Sequence, residues 1–205
     1  MSITSYSELQ TAVANWLNRD DLTSYVPDFI MLGERRIYRE LRIRAMETAL
    51  NSAMSGGVLA VPSDYVEIKS VYIDGSPVVR LQRQTVDYIY EKYPIRSSTG
   101  KPTFIAREGS NFIFGPFPSS DYTVKGIYYA RLTSLSASNT TNWFTANAPD
   151  ILLWASLCEA EPFLKNDERT VVWEAKYQAA KSAIEDEDKK EQRSGSPLTA
   201  KASYS

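Results

Sequence analysis

Five arginines fall within ten residues, Arg35, Arg36, Arg39, Arg42 and Arg44, with Glu34 before them and Glu40 among them. The planar arginine fork suits carboxylate or phosphate, so this segment could meet an acidic neighbouring subunit or a nucleic-acid backbone. The plainer alternative is a solvated helix face held by pairs four apart, such as Arg36 with Glu40. The formal net charge is −2. A DNA-coating protein would carry a strong basic excess, so a protein neighbour fits the arginines better than DNA does. A second charged stretch, Glu185-Asp186-Glu187-Asp188, lacks the glycine and spacing of a calcium loop and reads as a solvated helix face. Lys189 and Lys190 follow it and complement the dipole at a helix end. Asp87 and Glu91 stand four apart and could share acid–base work, but the sequence names no third group to help them.

The chain contains no histidine, which removes Ser-His-Asp and Cys-His nucleophiles and every histidine metal site. The single cysteine, Cys158, excludes an intramolecular disulfide and a cysteine-rich zinc site, and it fits synthesis in a reducing cytoplasm. Neither a phosphate loop nor G-x-G-x-x-G is present, and Gly56-Gly57 precedes a strand pattern, where a hairpin turn is expected. No catalytic residues, metal or cofactor are expected. The 13 tyrosines, 4 tryptophans and 7 phenylalanines offer large contact areas with polar tips. Tyr88, Tyr90 and Tyr93 cluster on one segment and Tyr128 and Tyr129 on another. Such rings could hold a sugar or single-stranded nucleic acid, pack in a core, or meet a subunit; with no basic groove beside them, a subunit interface is preferred. The start is polar, and the longest apolar run, Ile151 to Cys158 with Ser156 inside it, is far short of the roughly 20 residues a membrane span needs. A soluble protein with no membrane partner is expected.

Two helices are predicted at the start. Ser5 with Glu8 forms a capping-box pattern ahead of Leu9, Val13, Trp16 and Leu17. Pro27 suits the first turn of a second helix with the stripe Val26, Phe29, Ile30, Ile37 and Leu41. From Met46 to about Leu132, short β-branched runs alternate with turn signals, interrupted by a short helix at Thr85 to Tyr93. A hairpin is expected around Glu108-Gly109-Ser110, and Tyr122 to Leu132 is the longest strand candidate. Helical patterning returns at Asn147 with Pro149, Pro162 would kink or end that helix, and a last helix runs from about Asn166 to Gln192. The predicted class is α+β: a discontinuous four-helix body (residues 1–45 and 146–193), a β-rich insertion (46–145), and an extended C-terminal arm (194–205) too small and polar to fold alone. Trp173 and Tyr177 on the last helix, with Arg35, Arg36 and Arg39, are candidate subunit-interface residues; core packing explains the two aromatics equally well.

The order of these features resembles the head-to-tail adaptor, connector or head-completion, proteins of short-tailed bacteriophages. The resemblance is carried by Tyr6-Ser7-Glu8-Leu9, Asn18-Arg19-Asp20-Asp21-Leu22, Gly33-Glu34-Arg35-Arg36-Ile37, Val61-Pro62-Ser63-Asp64-Tyr65 and Gly100-Lys101-Pro102. It continues through Phe114-Gly115-Pro116-Phe117-Pro118, Tyr128-Tyr129-Ala130, Asn142-Trp143-Phe144, Ala148-Pro149-Asp150, and Glu168-Arg169 to Tyr177. It implies a structural virion protein, usually twelve copies in a ring at the portal–tail junction. Its partners would be other copies, the portal protein and tail nozzle or fibre proteins. Double-stranded DNA would only pass through the channel during ejection, and assembly would take place in the host cytoplasm. It also implies that the arm contacts the portal, here Ser194, Gly195, Ser196, Pro197, Leu198 and Tyr204. The alternative function is a carbohydrate-binding module of a tail structure.

Overall fold

The computed structural model describes residues 3–164 and 168–193, with side chains as far as residue 192. Helix α1 is Tyr6–Leu17. A 3-10 turn, Asp20–Tyr25, leads into α2, Val26–Glu40. Strands β1 (Glu47–Ala53), β2 (Val58–Ala60), β3 (Tyr65–Ile73), β4 (Val79–Arg80) and β5 (Gln82–Arg83) precede α3, Val86–Lys92. Then come β6 (Thr99–Gly100), β7 (Phe104–Glu108), β8 (Asn111–Gly115), β9 (Phe117–Pro118) and β10 (Thr123–Ala130). Helices α4 (Trp143–Asn147), α5 (Pro149–Glu159) and α6 (Arg169–Arg193) complete the order. The α+β class expected from the sequence is the class observed. The portal-arm candidates Ser194, Gly195, Ser196, Pro197, Leu198 and Tyr204 lie outside the described residues.

The chain divides into two compact units. One joins the residues before Met46 to those after Arg131; the other is Met46–Arg131. The return boundary therefore falls earlier than the 145/146 junction read from the sequence. The polar segment after β10 packs with the helices because it is tied to them by hydrogen bonds. The Tyr38 hydroxyl donates to the Leu132 carbonyl (3.1 Å), and the Tyr6 amide donates to the Thr140 carbonyl (2.7 Å).

In the helical unit, α5 is the central element. Ile151, Leu152, Leu153, Ala155, Ser156 and Leu157 are all buried, as expected for a helix that is apolar on every side. It packs against α1, α2 and α6. Gly33 permits the close approach of α2: a Cβ there would lie 2.9 Å from the Ser156 nitrogen. Local signals set the helix ends. The Ser5 hydroxyl accepts from the Glu8 amide, while the Glu8 carboxylate reaches past the cap to the Thr4 amide (2.7 Å). Asn142 and Thr145 close a reciprocal capping box on α4, a short helix the sequence reading does not predict. The second proline signal behaves as expected: α5 ends at Glu159 and Pro162 sits in a 3-10 turn, Glu161–Phe163.

The β-rich unit has two four-stranded sheets, ordered β1-β10-β3-β4 and β2-β8-β7-β5, with a small β6-β9 pair. One core includes Leu50, Ile68, Val71 and Val124 of the first sheet with Ile105, Phe112 and Phe114 of the second. The alternate residues Ala106 and Ile113 face the other way and bury Ile89 of α3, as the period of two demands. The expected hairpin is β7-β8, with Gly109 at φ +61° in its turn. Gly56 and Gly57 occupy the left-handed region in the turn before β2, and a Cβ on Gly57 would strike the Phe117 ring. β3, not β10, is the longest strand, because the two register shifts between them place the extra residues Lys69 and Val66 on β3.

Candidate assembly interface

The arginine segment divides by helical geometry. Arg36 faces α6: its guanidinium donates to Glu40 (3.1 Å) and Glu174 (2.6 Å) and lies 4.2 Å from the Tyr177 ring centre. Glu40 in turn accepts from the Tyr177 hydroxyl (3.1 Å) and from Lys181 (3.0 Å). The hydrogen bond from Arg36 holds the Glu174 carboxyl down at about 2. Burial raises the Tyr177 hydroxyl above its ordinary range, and the Glu40 carboxylate adds to the effect. Arg36 thus serves this chain's own α2–α6 contact. The sequence had allowed for the Arg36–Glu40 pair; Glu174 lies 138 residues away, and no local spacing points to it.

Trp173 and Tyr177 are 2% and 0% exposed. They fill the helical core and form no outer edge for a neighbour, because α6 turns this face towards α5 and α2. Arg35 and Arg39 are different. Both are exposed and carry no hydrogen bond or ion pair among the described residues. They share the outer face of α2 with the exposed Met31 and Leu32. Arg42 is half-buried and donates to the Tyr38 and Leu41 carbonyls.

One carboxylate is deeply buried. Glu34, 3% exposed, accepts the Leu135 amide on both oxygens (3.2 Å each) and the Asn142 side-chain amide on Oε1 (3.1 Å). Burial pushes its carboxyl up to about 7, against the lowering effect of those donors. Its position on α2 gives it the two ends of the segment between Leu132 and α4, so it anchors that segment. Its neighbour in the arginine motif is Gly33, the contact point with α5, so that motif serves packing as well as surface.

The other candidates offer less to a ligand. Asp87 and Glu91 are exposed on α3. In the tyrosine-rich segment, Lys92 lies 4.6 Å from the Phe104 ring centre and 5.3 Å from Tyr88, and Arg96 lies 5.0 Å from Tyr90. Those cations occupy ring faces that a sugar would need. Tyr128 is buried and donates to Asp64 (3.0 Å). Burial pushes the Cys158 thiol up to about 12, with the Glu174 charge adding to it. Among the described residues no three acidic or cysteine side chains come together in a way that could hold a metal. No described helix is long and apolar enough to cross a membrane.

Residues 4–201 match the family described as SU10 adaptor protein. No curated protein matches the chain. A match over nearly the whole length places the chain in the SU10 adaptor protein family.

Proposed function

We propose that this phage structural adaptor works as a ring of copies that joins the portal to the tail and lets double-stranded DNA pass. The observation that carries the reading is the family match over residues 4–201. Membership makes the protein a structural component that associates with portal and tail. Twelve copies is the number the resemblance to head-to-tail adaptors implies. A ring closes through a heterologous contact, in which one face meets a different face of the next copy. Arg35 and Arg39, bare on the outer face of α2, are the residues best placed to take part in it.

Portal contact is proposed for residues 194–205. Repetition around a ring would multiply a modest contact from each copy through effective concentration. The test is a portal pull-down with a chain truncated after Arg193. Lost binding with an unchanged melting curve supports the arm's role; full binding removes it.

A further inference from the structure

The two helices of the internal salt network run in the same direction. Pairs climb both together, Arg36 with Glu174 and Glu40 with Lys181, and past the end of α2 the Arg44 amide donates to Asp188. Each also carries an exposed row at intervals of seven, which keeps residues on one face of a helix with only about 20° of drift. At the entry to α2 and along it the row is Tyr25, Leu32 and Arg39; on α6 it is Val172, Ala179 and Asp186. Tyr25, Leu32 and Val172 are 44%, 38% and 55% exposed. Small residues, Ala175, Ser182 and Ala183, stand beside the α6 row, with exposed Lys176 between Val172 and Ala179 and exposed Lys190 beyond Asp186.

Resting on the ring reading above, we infer that Tyr25, Leu32 and Arg39 of one copy pack in parallel against Val172, Ala179 and Asp186 of the next. Equal spacing makes the rows fit. Leu32 to Arg39 and Ala179 to Asp186 each span about 10 Å at the helical rise. Setting Leu32 on Ala179 therefore puts Tyr25 on Val172 and the bare Arg39 on Asp186. The order, apolar, apolar, charged, is the same on both helices, and the charges are opposite. The bulky residues lie on α2, and the α6 row opposite them has an alanine at its centre, so the helices can approach closely. Asp186 has a long 3.5 Å contact to Lys189 in its own chain, with both side chains more than half exposed; such a bond yields readily to a better one. The rows lie on different helices, so each copy can use both, and the contact propagates head to tail.

The test is native mass spectrometry of the full chain over a concentration series, with and without portal, on wild type, Arg39→Glu, Asp186→Arg and the double variant. Each single reversal should raise the concentration for half-assembly about tenfold, and the double should return to within about threefold of wild type. Singles that assemble like wild type overturn the pairing and leave the ring reading standing. A wild-type chain that stays single throughout overturns both. Should a variant fold poorly, a second measurement decides: in a Cys158→Ser background, Leu32→Cys protein mixed with Ala179→Cys protein should give a covalent pair under mild oxidation. A cross-link absent from assembled material overturns the contact.

Discussion

Replacing Glu34 with glutamine isolates one buried charge whose effect on stability can be worked out. In the folded chain its carboxyl titrates at about 7, against an ordinary 4.5, because burial penalises the ionised form. The folded state therefore holds this proton to higher pH than the unfolded state does. Glu34 contributes its full stability below about pH 4.5, and the contribution is lost as pH rises through 7. The difference of about 2.5 pH units corresponds to about 3 kcal/mol. Glutamine does not titrate, but its amide has one acceptor oxygen where the carboxylate has two. The Leu135 and Asn142 donors would compete for it, a pH-independent loss of about 1–2 kcal/mol. Urea unfolding followed by far-ultraviolet circular dichroism at pH 5, 6, 7 and 8 separates the two effects. Wild type minus variant should fall by about 2–3 kcal/mol across the series, because other groups titrate alike in both chains. Tyr6 and Tyr38, both raised partly by the Glu34 charge, should titrate lower in the variant. A difference that stays flat with pH would refute the reasoning.

Gly33→Ala should destabilise the helical unit by about 1–3 kcal/mol, since its Cβ meets the α5 backbone at Ser156; a thermal melt unchanged from wild type would show that α5 can yield there. Arg36→Ala should let the Glu174 carboxyl rise from about 2 towards its ordinary value, read by carbonyl-carbon NMR titration, because the hydrogen bond from Arg36 is what holds it down. Cys158, half-buried with its thiol pushed up to about 12, should resist iodoacetamide at pH 8 and react at once in urea, because the thiolate is the nucleophile; fast labelling of the folded chain would contradict its burial.

Local signals in the sequence were read well. Ser5 caps α1 and Thr85 caps α3, each by accepting from an amide three residues on, Pro149 opens α5, and Gly109 turns β7 into β8. What escaped depends on distance along the chain. Nothing near Glu34 shows that it will accept from Leu135 and Asn142, 101 and 108 residues on. The same bonds hold the segment from Leu132 to α4 with the helical unit and so move the unit boundary. Helix α4 is five residues long, too short for periodicity to reveal, although Asn142 and Thr145 had the capping spacing. Among the interface candidates, spacing could place Trp173 and Tyr177 on one face of α6 but not say whether that face looks inward. The seven-residue rows were in the sequence throughout. Only exposure separates Val172 from its buried neighbour Trp173, or bare Arg39 from the paired Arg36 three residues before it.

The central claim is a closed ring on the portal, and electron microscopy of the full-length chain mixed with purified portal tests it most directly. The account predicts class averages in which adaptor density forms an unbroken, rotationally symmetric ring around an open channel wide enough for duplex DNA. Portal particles decorated by isolated copies, or left bare at saturating adaptor, would contradict it.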